Sequence, residues 1–294
     1  MNRFITLAIL IALSSLAGKA QQRDWSSIDI GVSELNTGIY RLFVNNSVAV
    51  VISTGQDGLL VIDAGYEQST GRLMEEIRKI TPEPISYLIN THLHGDHTGG
   101  NKVLGLDATI IAHPFVKKYL STEQRRGENV IPPFPDYALP TVLVEDELDL
   151  DFNGETLEIK HLPGGHTQSD LVVFFPRSNL LVMGDLLFAG YFPYIDTGNG
   201  GNPQKFLDNV EWIINNYPED VIIVGGHGPV YNMEQLKQWN ATLNQTIAHL
   251  KKAKEEGMSA EEMKQNQVLE NWAEMGSFFI TEERWIDTIY PFLL

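Results

Sequence analysis

Ile85-Ser86-Tyr87-Leu88-Ile89-Asn90-Thr91-His92-Leu93-His94-Gly95-Asp96-His97-Thr98-Gly99-Gly100 is the stretch on which the reading of this chain turns. Ile85 to Ile89 reads as a short apolar strand, and it runs directly into three histidines and an aspartate. In an extended segment, side chains two residues apart point the same way, so His92 and His94 can grip one ion together. Gly95 allows a sharp turn, after which Asp96 and His97 leave in a different direction, towards a second ion. Imidazole nitrogens with a carboxylate suit zinc. The chain has no cysteine, so thiolate ligands are excluded and any further ligand is a histidine or a carboxylate.

Three other places repeat one local pattern, an apolar strand, then glycine, then a ligand type. Leu162-Pro163-Gly164-Gly165-His166-Thr167 follows a strand at 156–161. Met183-Gly184-Asp185 follows a strand at 180–183, and Val224-Gly225-Gly226-His227-Gly228-Pro229 follows one at 221–224. Glycine lets backbone approach a site closely.

Outward from these points, residues 41–44, 47–53 and 58–62 read as successive antiparallel strands separated by Asn45-Asn46 and Gly55-Gln56-Asp57-Gly58. Residues 73–80 form an amphipathic helix ended by Thr81-Pro82. A strand at 108–112 precedes a helix at 114–120 that begins with proline. Residues 121–140 carry Pro132, Pro133, Pro135 and Pro140 and read as an extended loop between halves. The second half adds strands at 141–144, 147–152 and 171–175, a helix at 203–216 and a long amphipathic helix at 233–254. From Ser259 the tail looks helical; its Trp272, Phe278, Phe279, Trp285, Tyr290 and Phe292 are expected to pack against the body. Strand meanders mixed with helices in both halves predict an α+β protein with two sheets and helices outside them.

The 294 residues are 43% hydrophobic, which is ample for a large core. The formal net charge of −17 opposes nucleic-acid partners, whose binding rests on clustered Lys and Arg. Residues 1–20 have a positive start at Arg3, a nearly unbroken apolar run from Phe4 to Leu16 and small residues up to Ala20. This is the layout of a secretory signal peptide, so export to a periplasm or the exterior is expected. The apolar run is too short for a membrane span, and no later stretch suffices either. Lack of cysteine excludes disulfides and a cysteine-linked lipid anchor.

The motifs His92-Leu93-His94-Gly95-Asp96-His97, Gly165-His166-Thr167, Gly184-Asp185 and Gly226-His227-Gly228 resemble those of the metallo-β-lactamase superfamily. Val61-Ile62-Asp63-Ala64-Gly65 fits as well, and the resemblance covers roughly residues 35–235. It implies a four-layer αββα sandwich with the metals at one edge of the two sheets. Carried over residue by residue, one Zn2+ takes His92, His94 and His166 and a second takes Asp96, His97 and His227, with Asp185 bridging them. Asp63 would orient a ligand histidine through a hydrogen bond. His113 stands at a helix start, His161 reads as structural, and His249 as a surface residue of a polar helix. Residues 21–294 then form one hydrolase domain with a helical tail from about 257.

The chemistry implied is acyl hydrolysis of a small cyclic amide, ester or thioester, such as a β-lactam or a lactone, with Asp96 as the catalytic residue that orients the nucleophile and shuttles its proton. Two departures separate the chain from the most familiar zinc β-lactamases. They carry cysteine where Asp185 stands, and a lysine three residues later, where this chain has Phe188. The aromatic segment 186–194 reads either as a pocket wall or as core. The alternatives on the same scaffold are a metal-dependent oxidoreductase resembling sulfur dioxygenases and a phosphodiesterase.

Overall fold

A computed structural model describes residues 24–127 and 129–293. The expected export segment, residues 1–20, lies outside them. The elements in chain order are β1 (Ile30–Asn36), β2 (Ile39–Val44), β3 (Val48–Gly55), β4 (Gly58–Ile62), α1 (Thr70–Ile80), β5 (Ile85–Ile89), α2 (Gly95–Thr98), α3 (Asn101–Leu104), β6 (Thr109–Ala112), α4 (Pro114–Leu120), β7 (Gln124–Arg126), β8 (Asn129–Ile131), β9 (Val142–Leu143), β10 (Glu147–Phe152), β11 (Glu155–His161), β12 (Leu171–Phe175), β13 (Leu180–Phe188), α5 (Pro203–Asn216), β14 (Ile222–His227), α6 (Met233–Glu255), α7 (Ala260–Gln265) and α8 (Glu282–Ile289).

Strands β10-β11-β12-β13-β14-β3-β4-β5-β6-β9 form one continuous path, with β2 on β3 and β1 on β2. The path folds back on itself where a single pair, His227 with Val48, joins β14 to β3. The two halves thereby face each other. Ala49, Val51, Leu60 and Ile62 from one half meet Leu157, Val173, Phe175 and Val182 from the other in a shared core. The intervening residues point outward to helices. Val50, Leu59 and Val61 pack with Leu73 and Ile77 of α1. Leu181 and Met183 pack with Phe206, Val210, Leu236 and Leu243 of α5 and α6. Central strands covered on both faces need apolar residues at every position, which is why β4 and β13 are buried throughout rather than alternating. The result is the expected four-layer αββα sandwich.

Helix boundaries follow from simple chemistry. α1 ends because Thr81, ahead of Pro82, is extended and cannot continue the helix. α6 starts at a capping box in which Asn232 and Gln235 each satisfy the other's backbone N–H. Within each half, parallel pairing of β4, β5 and β6, and of β13 with β14, aligns their carboxyl ends at one rim. Loops leaving the carboxyl ends of parallel strands form the usual ligand crevice of such sheets.

The structure differs from the sequence expectations in four places. β1 was not expected, because its burial is mostly exposed and its composition is that of a polar edge strand. The 121–140 loop contains the small β7–β8 hairpin, whose strands are only three residues each, one of them wholly polar. β13 runs to Phe188 and β14 to His227, so Asp185 and His227 lie within strands rather than after them. A glycine at positive φ, Gly184 at 52°, lets β13 shift register and carry on. The tail is helical, but not all of its aromatic residues are packed away: Phe279 is 52% and Phe292 42% exposed.

Candidate metal centre

The sequence stretch around His92 folds as its composition requires. β5 delivers the chain to the rim, residues 91–93 bend, and Gly95–Thr98 make one turn of helix. His92 and His94 therefore project to one side, and Asp96 and His97 to another. His166 arrives on the loop between β11 and β12, Asp185 from inside β13, and His227 from the last position of β14.

All seven predicted residues converge. Ligand atoms of His92, His94, His166 and Asp185 lie within 4.8 Å of one another, and so do those of Asp96, His97 and His227. His94 Nδ1 is 3.1 Å from His92 Nε2 and 2.8 Å from His166 Nε2. Asp185 stands between the groups: its Oδ2 is 3.4 Å from both His166 Nε2 and His227 Nε2, and its Oδ1 is 3.1 Å from His97 Nε2. Asp96 Oδ2 lies 3.7 Å from His97 Nε2 and 3.6 Å from His227 Nε2, on the more exposed side.

Each histidine is fixed through its other ring nitrogen. His97 Nδ1 donates to Asp63 Oδ2 at 2.7 Å. His92 Nδ1 lies 3.0 Å from Thr91 Oγ1, which itself donates to Asp63 at 2.9 Å. Asp63 thus orients one histidine in each group, directly and through Thr91. His166 Nδ1 donates to the Tyr194 carbonyl at 2.6 Å and His227 Nδ1 to the Ser47 carbonyl at 2.7 Å. His94 Nε2 is 2.9 Å from Asp196 Oδ2. Holding the outer nitrogen in this way sets the tautomer and aims the inner lone pair.

The aimed atoms fit a cation. Among the described residues, His97 Nε2 and Asp185 Oδ1 are buried without a hydrogen-bond partner. With its Nδ1 proton engaged by Asp63, a His97 that has no proton on Nε2 would set two acceptors facing each other across 3.1 Å, so that gap calls for a cation, either a second proton or a metal. Charges around the site act in the same direction. Burial disfavours the His97 cation, yet the carboxylates of Asp185, Asp63 and Asp96 outweigh it and hold its pKa well above the ordinary value. Burial likewise opposes Asp185 ionisation, but His227, His97, His92 and His166 hold its carboxyl well below the usual range. Burial pushes His92 down and His166 to about 4, so both present neutral lone pairs. A backbone cradle completes the fit. A Cβ on Gly226 would lie 2.0 Å from Asp185 Oδ1, so only glycine leaves that oxygen room.

Sequence reasoning did not find Asp196, Thr91 or the two carbonyls. Backbone carbonyls carry no residue-type signal. Asp196 begins an Asp-Thr-Gly-Asn turn, where it also accepts from Asn199, and nothing local marks its second role. Both structural hydrogen bonds and His94 hold its carboxyl down at about 2 against the effect of burial. His113 caps α4, accepting from Phe115 N at 3.2 Å. Its ring stacks on His161 at 4.0 Å.

The segment after Asp185 is both core and wall. Phe192 is buried and stacks on Trp285, while Phe188 stacks on His227 at 4.7 Å between centroids. Phe188 is 2% exposed and supplies no charge to the site.

A continuous two-layer sheet carrying two histidine-carboxylate groups at one rim defines a metallohydrolase. A family profile described as the metallo-beta-lactamase superfamily matches residues 41–243. The chain belongs to the metallo-β-lactamase superfamily. It is 26% identical over 191 residues to the "Probable metallo-hydrolase YqgX" of Bacillus subtilis (strain 168), covering 64% of this chain and 88% of the relative. It is 25% identical over 212 residues to a "Metallo-beta-lactamase type 2" of Bacillus cereus (68% and 77%), and 28% identical over 224 residues to a "Hydroxyacylglutathione hydrolase" of Acaryochloris marina (strain MBIC 11017) (72% and 76%). Its fold is similar to that of the "Metallo-beta-lactamase from Pontibacter korlensis", with a TM-score of 0.60 and 18% identity over 74% of this chain and 99% of that one.

Proposed function

We propose that this protein is an exported hydrolase that holds two zinc ions and opens a cyclic amide, ester or thioester bond. The observation that carries the reading is the convergence of seven ligand atoms into two groups with Asp185 between them. His92, His94 and His166 would hold one ion and Asp96, His97 and His227 the other, with Asp185 shared. When bound, the ions supply Lewis acidity towards a carbonyl oxygen and an acidified water.

The chain's own residues do the rest. Asp63, Asp196 and the carbonyls of Ser47 and Tyr194 keep the imidazoles aimed, so no reorganisation is needed as charge develops. Asp96 is the most exposed of the four carboxylates around the centre and accepts no hydrogen bond from another described side chain. Its free carboxylate oxygen can take a proton from the attacking water and return it to the leaving nitrogen, oxygen or sulfur. Asp185 is buried among four histidines and is less suited to this exchange.

Phe188 offers no cation for a drug carboxylate. The substrate is therefore more akin to the lactones and thioesters than to β-lactams. The test is a panel on zinc-loaded protein: nitrocefin, acyl-homoserine lactones, S-lactoylglutathione and a phosphodiester. Turnover of a lactone or thioester, lost in Asp96→Ala while zinc is partly retained, is expected. Hydrolysis of the phosphodiester alone would sink the acyl reading, and metal analysis without a bound transition ion would sink the centre itself.

A further inference from the structure

The tail after α7 does more than pad the core. Met275 and Ile280 are buried and anchor it, and the Met275 carbonyl accepts from Phe192 N at 2.9 Å. Between these anchors the chain turns two rings towards the metal centre. Phe278 lies 5.5 Å from the ring of His227, a ligand of one group, and 5.0 Å from Tyr191. Phe279 meets Tyr194 edge to face at 5.7 Å, and Tyr194 lies 5.6 Å from His94 and 5.8 Å from His166, ligands of the other group. One half of the centre is thus flanked directly by Phe278 and the other by Tyr194, against which Phe279 packs.

Phe279 is held in place although it is 52% exposed. The Arg284 guanidinium lies 4.5 Å over its ring, and Arg284 Nη1 donates to its carbonyl at 2.7 Å. A cation stacked on the outer side and an aromatic edge on the inner side fix the ring's orientation. Tyr194 and Arg284, the two residues that clasp Phe279, also line a cleft of about 400 Å³ together with Asp196, Asp287, Thr288 and Phe292. Asp196 holds the outer nitrogen of His94, so this cleft runs from behind one ligand histidine to the tail. Its size and lining suit one small organic group rather than a polymer.

We propose that Phe278 and Phe279 are specificity-determining residues, and that with Tyr194 they form a wall taking an aryl or bulky branched-alkyl arm of the substrate. This rests on the metal centre described above and narrows its substrate class. A short, polar acyl group would leave the wall wet and gain nothing from it. An apolar arm would cover Phe279 and lose its own contact with water, which favours binding in proportion to the area buried.

A binding experiment tests the wall apart from turnover. Thiols attach to zinc centres through sulfur and carry any chosen arm. Calorimetric affinities of full-length, zinc-loaded protein for 2-phenylethanethiol and for 2-mercaptoethanol are compared in the wild type, Phe279→Ala, Phe279→Leu and Phe278→Ala. Phenylethanethiol is expected to bind the wild type at least about tenfold more tightly, the fold-change for covering one ring. Phe279→Ala should erase most of this preference and leave mercaptoethanol within about twofold, and Phe279→Leu should retain part of it. Phe279 is half exposed, so its loss does not threaten the fold; unchanged melting and zinc content verify that.

Equal affinities in the wild type, or a preference untouched by Phe279→Ala and Phe278→Ala alike, would overturn the wall alone. Failure of both thiols to bind would overturn the metal centre and the wall with it. A preserved preference in a protein inert on every acyl substrate would support the wall while removing the proposed reaction.

Discussion

Asp63 shows how much one side chain can carry. It adopts a left-handed conformation at φ 63°, which aspartate tolerates and most residues do not. From there it accepts from His97 Nδ1, Thr91 N and Thr91 Oγ1, and so steers a ligand histidine in each group. Asp63→Asn keeps the backbone tolerance and the shape but removes the charge. The expected outcome is a metal affinity lower by about 10–100-fold, read by competition with a chromophoric chelator, in a protein that still folds. Unchanged affinity would show that Asp63 is a turn residue and nothing more.

A second residue-level prediction concerns acid stability. Burial, with the nearby His161, pushes His113 down to about 4 from an ordinary 6.5. Between those values the unfolded chain binds a proton that the native protein refuses. The stability His113 contributes is therefore complete above about pH 6.5 and is lost as the pH falls towards 4. His113→Asn retains an acceptor for Phe115 N at the start of α4 and removes the titration. Melting temperatures of the metal-free proteins should diverge in the variant's favour over that window. Parallel profiles for the two proteins would contradict the assignment.

At the scale of elements, β13 and β14 are the working parts, because two of the seven ligand positions lie inside them. Their close approach depends on Gly226. Gly226→Ala would drive a methyl into Asp185 Oδ1, with His97 Cε1 only 3.0 Å away. The strands can still pair, so far-UV dichroism should be retained while zinc binding at both groups collapses. Full zinc content in this variant would contradict the bridging position of Asp185.

α8 is the other element with a clear consequence. Trp285 is 1% exposed, stacks on Phe192 at 5.3 Å and donates from Nε1 to Thr246 Oγ1 at 3.0 Å. Trp285→Ala should destabilise the fold by roughly 3–5 kcal/mol in denaturant titration, as large-to-small changes in tight cores do. Because Phe192 leads on to Tyr194, which holds His166, the same variant should also weaken zinc binding. A tail that merely rested on the surface would give under about 0.5 kcal/mol and leave the metal alone.

For the whole molecule, the two halves share few backbone hydrogen bonds, and one pair, His227 with Val48, joins their strands. The interior between them is apolar, but the rim at that junction is a cluster of imidazoles and carboxylates. Ions bound there would tie β5, β13, β14 and the His166 loop together and stabilise the native state by mass action. Zinc-loaded protein is expected to melt roughly 5–10 °C above chelator-treated protein in scanning calorimetry. Identical melting would mean that the centre holds no metal in solution.

Sequence alone determined the central strands and the covering helices of the sandwich, because strands covered on both faces must be apolar throughout and helices must show one apolar stripe; the polar edge strand β1 and the β7–β8 hairpin carry no such signal. It also determined which residues could hold metal, since His92, His94, Asp96 and His97 are close in the chain, and His166, Asp185 and His227 each follow a glycine after an apolar run. What depends on contacts distant in sequence was left to the tertiary structure. It set the convergence of three more ligands, the role of Asp196, the carbonyls of Ser47 and Tyr194 that aim imidazoles, and the rings of Phe278 and Phe279 beside the centre. A carbonyl has no residue type, and an aromatic ring reads the same in a core as in a binding wall until the fold decides which neighbours it meets.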